Sequence, residues 1–338
     1  MFSYSDWSVL TVNFLVVLYL ALSGVTLCAV LHLVGAKWRY EIRQLAVALY
    51  ALFPLAFVLL IILLVGGENT FPWLNASAEH GHHLNAWHNY TFLVARQVLG
   101  LLIVAAICWK FIKRQQVSDR SEQDQQRFHN IACLVPYVYV LYGTMVAWDF
   151  EMTLVPSWHS AIYGMQHFVS NFNMFMAFLV IWIFVLNTRN KLVRPVADYV
   201  YNYLAQMMFA FTLLFIYTFF AQYLVIWYPN LPGEVDRVMG MQNNDYSVLW
   251  WSIIALKFVI PFTVLAMRVS RHSPPAILAV AVCIIVGTLF ERYIWIAGVH
   301  DGKGDMPVLA FIVISAAVAA IGFTLVRRNL RHNHLIKV

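Results

Sequence analysis

The stretch "VLTVNFLVVLYLALSGVTLCAVLHLVG", residues 9–35, contains no Asp, Glu, Lys or Arg. An α-helix rises 1.5 Å per residue, so about 20 apolar residues cross roughly 30 Å of hydrocarbon. Backbone polar groups in lipid must be bonded internally, and the stretch lacks the alternation of a barrel strand, so it reads as a membrane helix. Working outward, comparable runs at 43–66, 91–112, 129–149, 161–187, 203–228, 246–268, 274–297 and 306–326 predict nine spans in all. The composition agrees: of 338 residues 62% are hydrophobic and 11% charged, with a mean hydropathy of +0.70. No soluble core accommodates that much apolar surface. The expected fold class is all-α integral membrane, one polytopic domain over residues 1–338.

Charge distribution sets the expected orientation, because Lys and Arg favour cytoplasmic loops. Of the 22 Lys and Arg residues, only Arg96, Arg237, Arg292 and Lys303 fall on the side opposite the basic loops, and Lys257 lies within a span. The N-terminus is therefore expected outside and the C-terminus in the cytoplasm. The net charge of +6 is this topological asymmetry and no sign of nucleic-acid binding. The first run has Asp6 ahead of it and no basic flank, so it is expected to be a retained helix rather than a cleaved leader. Cys28, Cys108, Cys133 and Cys283 lie in apolar spans without CxxC spacing, which speaks against a disulfide framework, a zinc site or an iron–sulfur cluster in this chain.

The polar stretch "KRQQVSDRSEQDQQRFHN" reads as a cytoplasmic linker, too short for a catalytic domain. The outer loops collect the chemistry. "WDFEMTLVPSWHSAIYGMQHF" sets Asp149 and Glu151 at the end of the fourth span, with His159 and His167 leading into the fifth. Carboxylates beside imidazoles at a membrane edge are candidates for proton transfer, and solvated loop charges are the plain alternative. Trp148 and Trp158 read first as interfacial belt residues. Lys257 stands about ten residues from either end of its span and needs a carboxylate or a hydrated cavity, and Glu291 with Arg292 lies late in the eighth. A proton route and a structural ion pair are both open readings there. Arg96, at the start of the third span, is free to snorkel.

The sixth span ends in "FAQYLVIWYPNLPGEV", residues 220–235. Tyr223 and Trp227, at i and i+4, share a helix face beside Gln222 and are candidates to line an outer cavity or hold a flat ring. Pro229 and Pro232 end the helix, so Tyr228, Asn230, Pro232 and Glu234 are candidate docking residues for a partner. His32 and His129 are the one histidine pair at matching depth for a b-type haem, a weak signal, and the His80, His82, His83 and His88 loop has no fixed metal-ligand spacing. No metal is expected.

These stretches carry a family resemblance. "FAQYLVIWYPNLPGE", "WDFEMTLVPSWHSAIYGM", "LHLVGAKWRYEIRQLA" and "LNAWHNYTFLVAR" resemble signatures of the NrfD/PsrC-like membrane subunits, most nearly the ActF subunit of alternative complex III. The chain departs from that pattern in being shorter by about one N-terminal helix. The resemblance implies side-by-side four-helix bundles with a peripheral helix in a bacterial inner membrane. It implies a non-redox subunit of a quinol:cytochrome c oxidoreductase, with quinone or quinol as its only expected ligand. Haem c and iron–sulfur clusters would belong to partner cytochrome c and iron–sulfur subunits, beside an ActC-like membrane subunit and a terminal oxidase. Under it, Asp149, Glu151, His159, His167, Lys257 and Glu291 are proton-transfer candidates, and Arg96, Trp158, Gln222, Tyr223 and Trp227 quinone or outer-cavity candidates. The alternatives are a direct quinone-binding subunit of another NrfD-type reductase and a secondary transporter.

The charge asymmetry is directly testable. A fluorescent-protein fusion after Val338 should fluoresce and an alkaline-phosphatase fusion there should be inactive; the reverse pair of results contradicts the orientation.

Overall fold

The computed structural model describes residues 4–74, 86–118, 120–228, 234–243, 245–299 and 306–337. Within them nine helices are long and apolar enough to cross a membrane, which makes this a multi-pass membrane protein. They are α1 (Tyr4–Leu33), α2 (Arg39–Val65), α3 (Tyr90–Val117), α4 (Glu122–Phe150), α5 (Tyr163–Thr188), α6 (Tyr199–Trp227), α7 (Ser247–Ala266), α8 (Pro274–Ala297) and α9 (Val308–His332). A short helix, Glu234–Asn243, lies between α6 and α7. No strand occurs among the described residues; a single bridge, Leu192 to Ile336, ties the α5–α6 connection to the C-terminal tail.

The helices begin and end for local reasons that hydropathy does not register. Asn89 caps α3 by accepting from the Phe92 amide at 3.0 Å, and Ser121 caps α4 by accepting from the Asp124 amide at 3.1 Å. With that cap, the run of Glu and Gln after Ser121 is helical, so most of the expected polar linker becomes the ends of α3 and α4. Pro54 removes one backbone donor midway along α2, just after the chain tightens into a 3₁₀ turn over Leu49–Leu52. Pro136 sits inside α4, where it removes one helix hydrogen bond.

Helix α1 is the hub. Its most apolar window is 89% buried, against 11% for α9, and it packs against α2, α4, α5, α8 and α9. The pairs α1–α2, α2–α3, α3–α4 and α4–α1 are neighbours, as are α5–α6, α6–α7, α7–α8 and α8–α5. Lipid offers little hydrophobic drive between helices, so close backbone approach and polar ties matter more. Both are present on α1. A Cβ on Gly24 would lie 2.3 Å from the Ala46 carbonyl oxygen of α2. Tyr19 donates to the Gly143 carbonyl at 3.2 Å, Ser23 bonds the Tyr139 hydroxyl at 3.1 Å, and Asn13 donates to Ser315 of α9 at 3.0 Å.

Because the obstruction at Gly24 is backbone, it cannot swing aside. Gly24→Val should destabilise the purified protein by about 3 kcal/mol, the upper end for overpacking, visible as a lower thermal midpoint in detergent. An unchanged midpoint would mean that the α1–α2 approach is looser than described.

Candidate functional site

Two buried polar clusters lie toward the end of the bundle opposite the basic loops. The first is an anchor. Asp149, fully buried on the last turn of α4, accepts Nε of Arg96 at 2.8 Å and Nη2 at 2.5 Å, a two-pronged guanidinium–carboxylate pair. Gln97 donates to the same carboxylate at 2.5 Å and the Trp87 indole at 2.8 Å. The Arg96 guanidinium lies 4.1 Å over the Trp87 ring and donates to the Trp87 carbonyl at 3.0 Å. Four donors saturate Asp149, which suits a fixed tie between α3 and α4 better than a proton carrier. Arg96 does not snorkel; it is buried in this pair. His159, expected beside Asp149, is instead exposed. His88 is buried near this cluster, 3.3 Å from the Thr153 carbonyl, and burial pushes its imidazole below the usual range.

The second cluster is a chain of charges between α4, α5, α7 and α8. Glu151, just past the last turn of α4, holds three partners on one oxygen: the Tyr163 hydroxyl at 2.5 Å, Arg292 Nη1 at 2.6 Å and His167 Nδ1 at 2.8 Å. Arg292 Nη2 lies 2.8 Å from Oε1 of Glu291 and so bridges the two carboxylates. Oε2 of Glu291 accepts from Ser170 at 2.5 Å and from Lys257, whose ammonium also contacts Ser170 at 2.5 Å. Nζ of Lys257 lies 3.9 Å over the Phe215 ring. Lys257, Glu151, Glu291, Arg292 and His167 are all essentially inaccessible to solvent.

The sequence builds this chain from helical spacing. Tyr163, His167 and Ser170 at i, i+4 and i+7 put one polar stripe on α5 facing α8. Lys257 is centred in a π-helical turn, Ala255–Val259, a local widening often found at functional positions. Across from it Gly287 makes room, since a Cβ there would lie 2.5 Å from Lys257 Cγ. At 1.5 Å per residue, Lys257 is about 15 Å along α7 from Ser247, so the chain descends from the membrane edge at Glu151 well into the span.

Two chemical properties follow. Two carboxylates face two permanent or near-permanent cations, so with His167 neutral the formal charge is zero and one extra proton is the unit of change. Nδ1 of His167 also touches Nη1 of Arg292. When it carries the proton it donates to Glu151, and when it does not it accepts from Arg292, so one ring nitrogen has a partner in either protonation state.

Trp158 is fully buried and is no belt residue: it lies 5.1 Å from Trp295 and 5.5 Å from Tyr163, with the Arg237 guanidinium 4.9 Å over its ring. Arg237 donates to the carbonyls of Met152, Glu151 and Trp295 at 2.8–2.9 Å, tying the α4–α5 connection to the end of α8. Burial pushes Arg237 down to about 10, which leaves it charged at neutral pH.

Gln222 and Tyr223 line a cleft of about 10 Å³ with Gln166, Phe219, Trp250 and Trp295. Trp227 does not join them; it is 56% exposed, and Tyr228 is 82% exposed. Asn230, Pro232 and the Glu234 side chain lie outside the described residues, as do His80, His82 and His83. His32 and His129 meet edge to face at 5.6 Å, without the gap a haem plane needs between its axial ligands. No cluster of potential metal ligands occurs among the described residues. Arg292, Ser170 and Tyr163 complete the chain and were not among the sequence candidates, although the polar stripe on α5 was visible.

No protein-family model and no curated protein matches this chain. The geometry of the buried pair is itself testable. Removing one partner of a buried ion pair leaves an uncompensated charge, so Lys257→Met and Glu291→Met should each destabilise by about 3–5 kcal/mol, while the two together should recover most of that loss. Thermal unfolding in detergent reads the cycle, and additive losses would deny the pairing.

Proposed function

We propose that this chain is a non-redox membrane subunit of a bacterial quinol:electron-acceptor oxidoreductase of the alternative complex III type, in which the buried charge chain moves protons. The observation that carries the reading is the continuous run Glu151, His167, Arg292, Glu291, Ser170 and Lys257 within an apolar bundle. A Lys or Asp at a helix centre is disfavoured by about 2.5–3.5 kcal/mol on insertion scales, so intramembrane ionisable groups are functional candidates by default. The neighbour pattern of α1–α4 and of α5–α8, with α9 outside, agrees with the paired four-helix bundles that the NrfD-like resemblance implies. Electrons would leave through haem c and iron–sulfur centres of partner subunits at the outer face of the cytoplasmic membrane.

In this reading His167 is the exchange point. A proton arriving at Nδ1 moves its hydrogen bond from Arg292 to Glu151, and Tyr163 holds the carboxylate in place. Deeper in the span, Lys257 bonds Glu291 directly, and Ser170 touches both and holds that pair in place. Asp149 and Arg96 hold the α3–α4 corner against which Glu151 is set.

A second reading draws on the cleft beside Gln222 and Tyr223. Both side-chain polar atoms of Gln166 and Oε1 of Gln222 are buried there without a hydrogen-bond partner among the described residues. Paired amides in an aromatic cleft suit the two oxygens of a quinone head, but about 10 Å³ is roughly one water, so a ring requires the cleft to open. The proton-relay reading needs no such opening.

Mild-detergent purification from the native membrane should bring haem c and iron–sulfur subunits with the chain. In that complex His167→Gln should assemble and lower quinol-driven turnover by about 100-fold, the lower end of the range for a lost acid–base group. Isolation without redox partners, or full turnover in the variant, would overturn the reading.

A further inference from the structure

We infer that the groove between α2, α3 and α9 at the basic end of the bundle binds the phosphodiester headgroup of an anionic phospholipid. The groove has a volume of about 410 Å³, within the roughly 300–1,000 Å³ of small-molecule sites. Arg43, Lys113 and His332 line it, and no Asp or Glu is among the described residues that do. Neither Arg43 nor Lys113 is in an ion pair among the described residues, so both cations remain available to a phosphate. Asn329 donates to the Ala48 carbonyl at 2.9 Å, which holds α9 against α2.

The lining is graded along α3. Trp109, one turn deeper than Lys113, is 53% exposed and lines the groove together with Tyr50 and Ile112. Cations at the helix ends with an aromatic and aliphatic wall toward the hydrocarbon match a lipid, whose charge and apolar part are joined at the glycerol. A free phosphate would use the cations and leave that wall without a role. Basic pockets between membrane helices on the side of the positive loops are suited to anionic headgroups, with about 1 kcal/mol from each nearby Lys or Arg.

The test uses the full-length purified protein in detergent, with binding read as the shift in thermal midpoint on titration. Phosphatidylglycerol should raise the midpoint, whereas phosphatidylcholine and inorganic phosphate should leave it in place. Arg43→Gln with Lys113→Gln should weaken the phosphatidylglycerol response by about thirtyfold, the loss of two basic contacts. Arg327→Gln with Arg328→Gln removes the same charge from the same end outside the groove and should leave the response near that of the parent. Equal binding by the Arg43/Lys113 variant, an equal loss in the control, or an equal shift with phosphatidylcholine or phosphate would overturn the assignment. Should the Arg43/Lys113 variant fail to fold, a photoreactive phosphatidylglycerol on the parent protein decides: adducts on the peptide holding Trp109 and Ile112 support the site, and adducts only elsewhere overturn it.

Discussion

The constraint on which the rest of this structure depends is the burial of Lys257, Glu291, Arg292, Glu151 and His167 away from solvent. In hydrocarbon each charge needs a partner within hydrogen-bond reach, so four helices must arrive at one place in one register. The α4 end supplies Glu151, α5 supplies His167 and Ser170, α8 supplies Glu291 and Arg292, and the π-helical turn of α7 supplies Lys257. Sliding α8 by one residue along its axis would break several charged contacts at once. The same pairing that fixes the bundle balances its charge, which leaves a single proton as the smallest change the site can register.

Around that core the other polar contacts act as fixed ties. The Asp149 carboxylate is saturated by Arg96, Gln97 and Trp87, and Arg237 clamps three carbonyls beneath the rings of Trp158 and Trp295. Glu151 stands between the two, with its backbone held by Arg237 and its side chain turned to His167 and Arg292.

Much of this was legible in the sequence because lipid imposes simple rules. All nine spans overlap their expected ranges, the largest offsets being at the start of α4 (Glu122 against 129) and the end of α9 (His332 against 326), and Lys257 was identifiable as a charge that required a partner. Helix ends were less legible: α3, α4 and α9 run on into polar segments because capping and intrinsic propensity, not hydropathy, decide where they stop. Pairings were the least legible. Asp149 turned to Arg96 and not to His159, and Trp158 turned inward, because which neighbour a side chain meets depends on how α3, α4 and α8 pack. Trp227 shows the limit of spacing arguments: i and i+4 placed it near Tyr223, yet the face divides between cleft and exterior at that turn. Arg292 was visible beside Glu291, but its role as the bridge to Glu151 depends on the approach of α8 to the α4 end.

The central claim is that the buried chain changes protonation during turnover, and infrared difference spectroscopy of the purified complex on perfusion with quinol tests it most directly. The account predicts a change in the imidazole and carboxylate regions that is present in the parent and altered in both His167→Gln and Glu151→Gln. A spectrum silent in those regions, or one that both variants leave intact, would contradict it and leave the chain as a structural clamp.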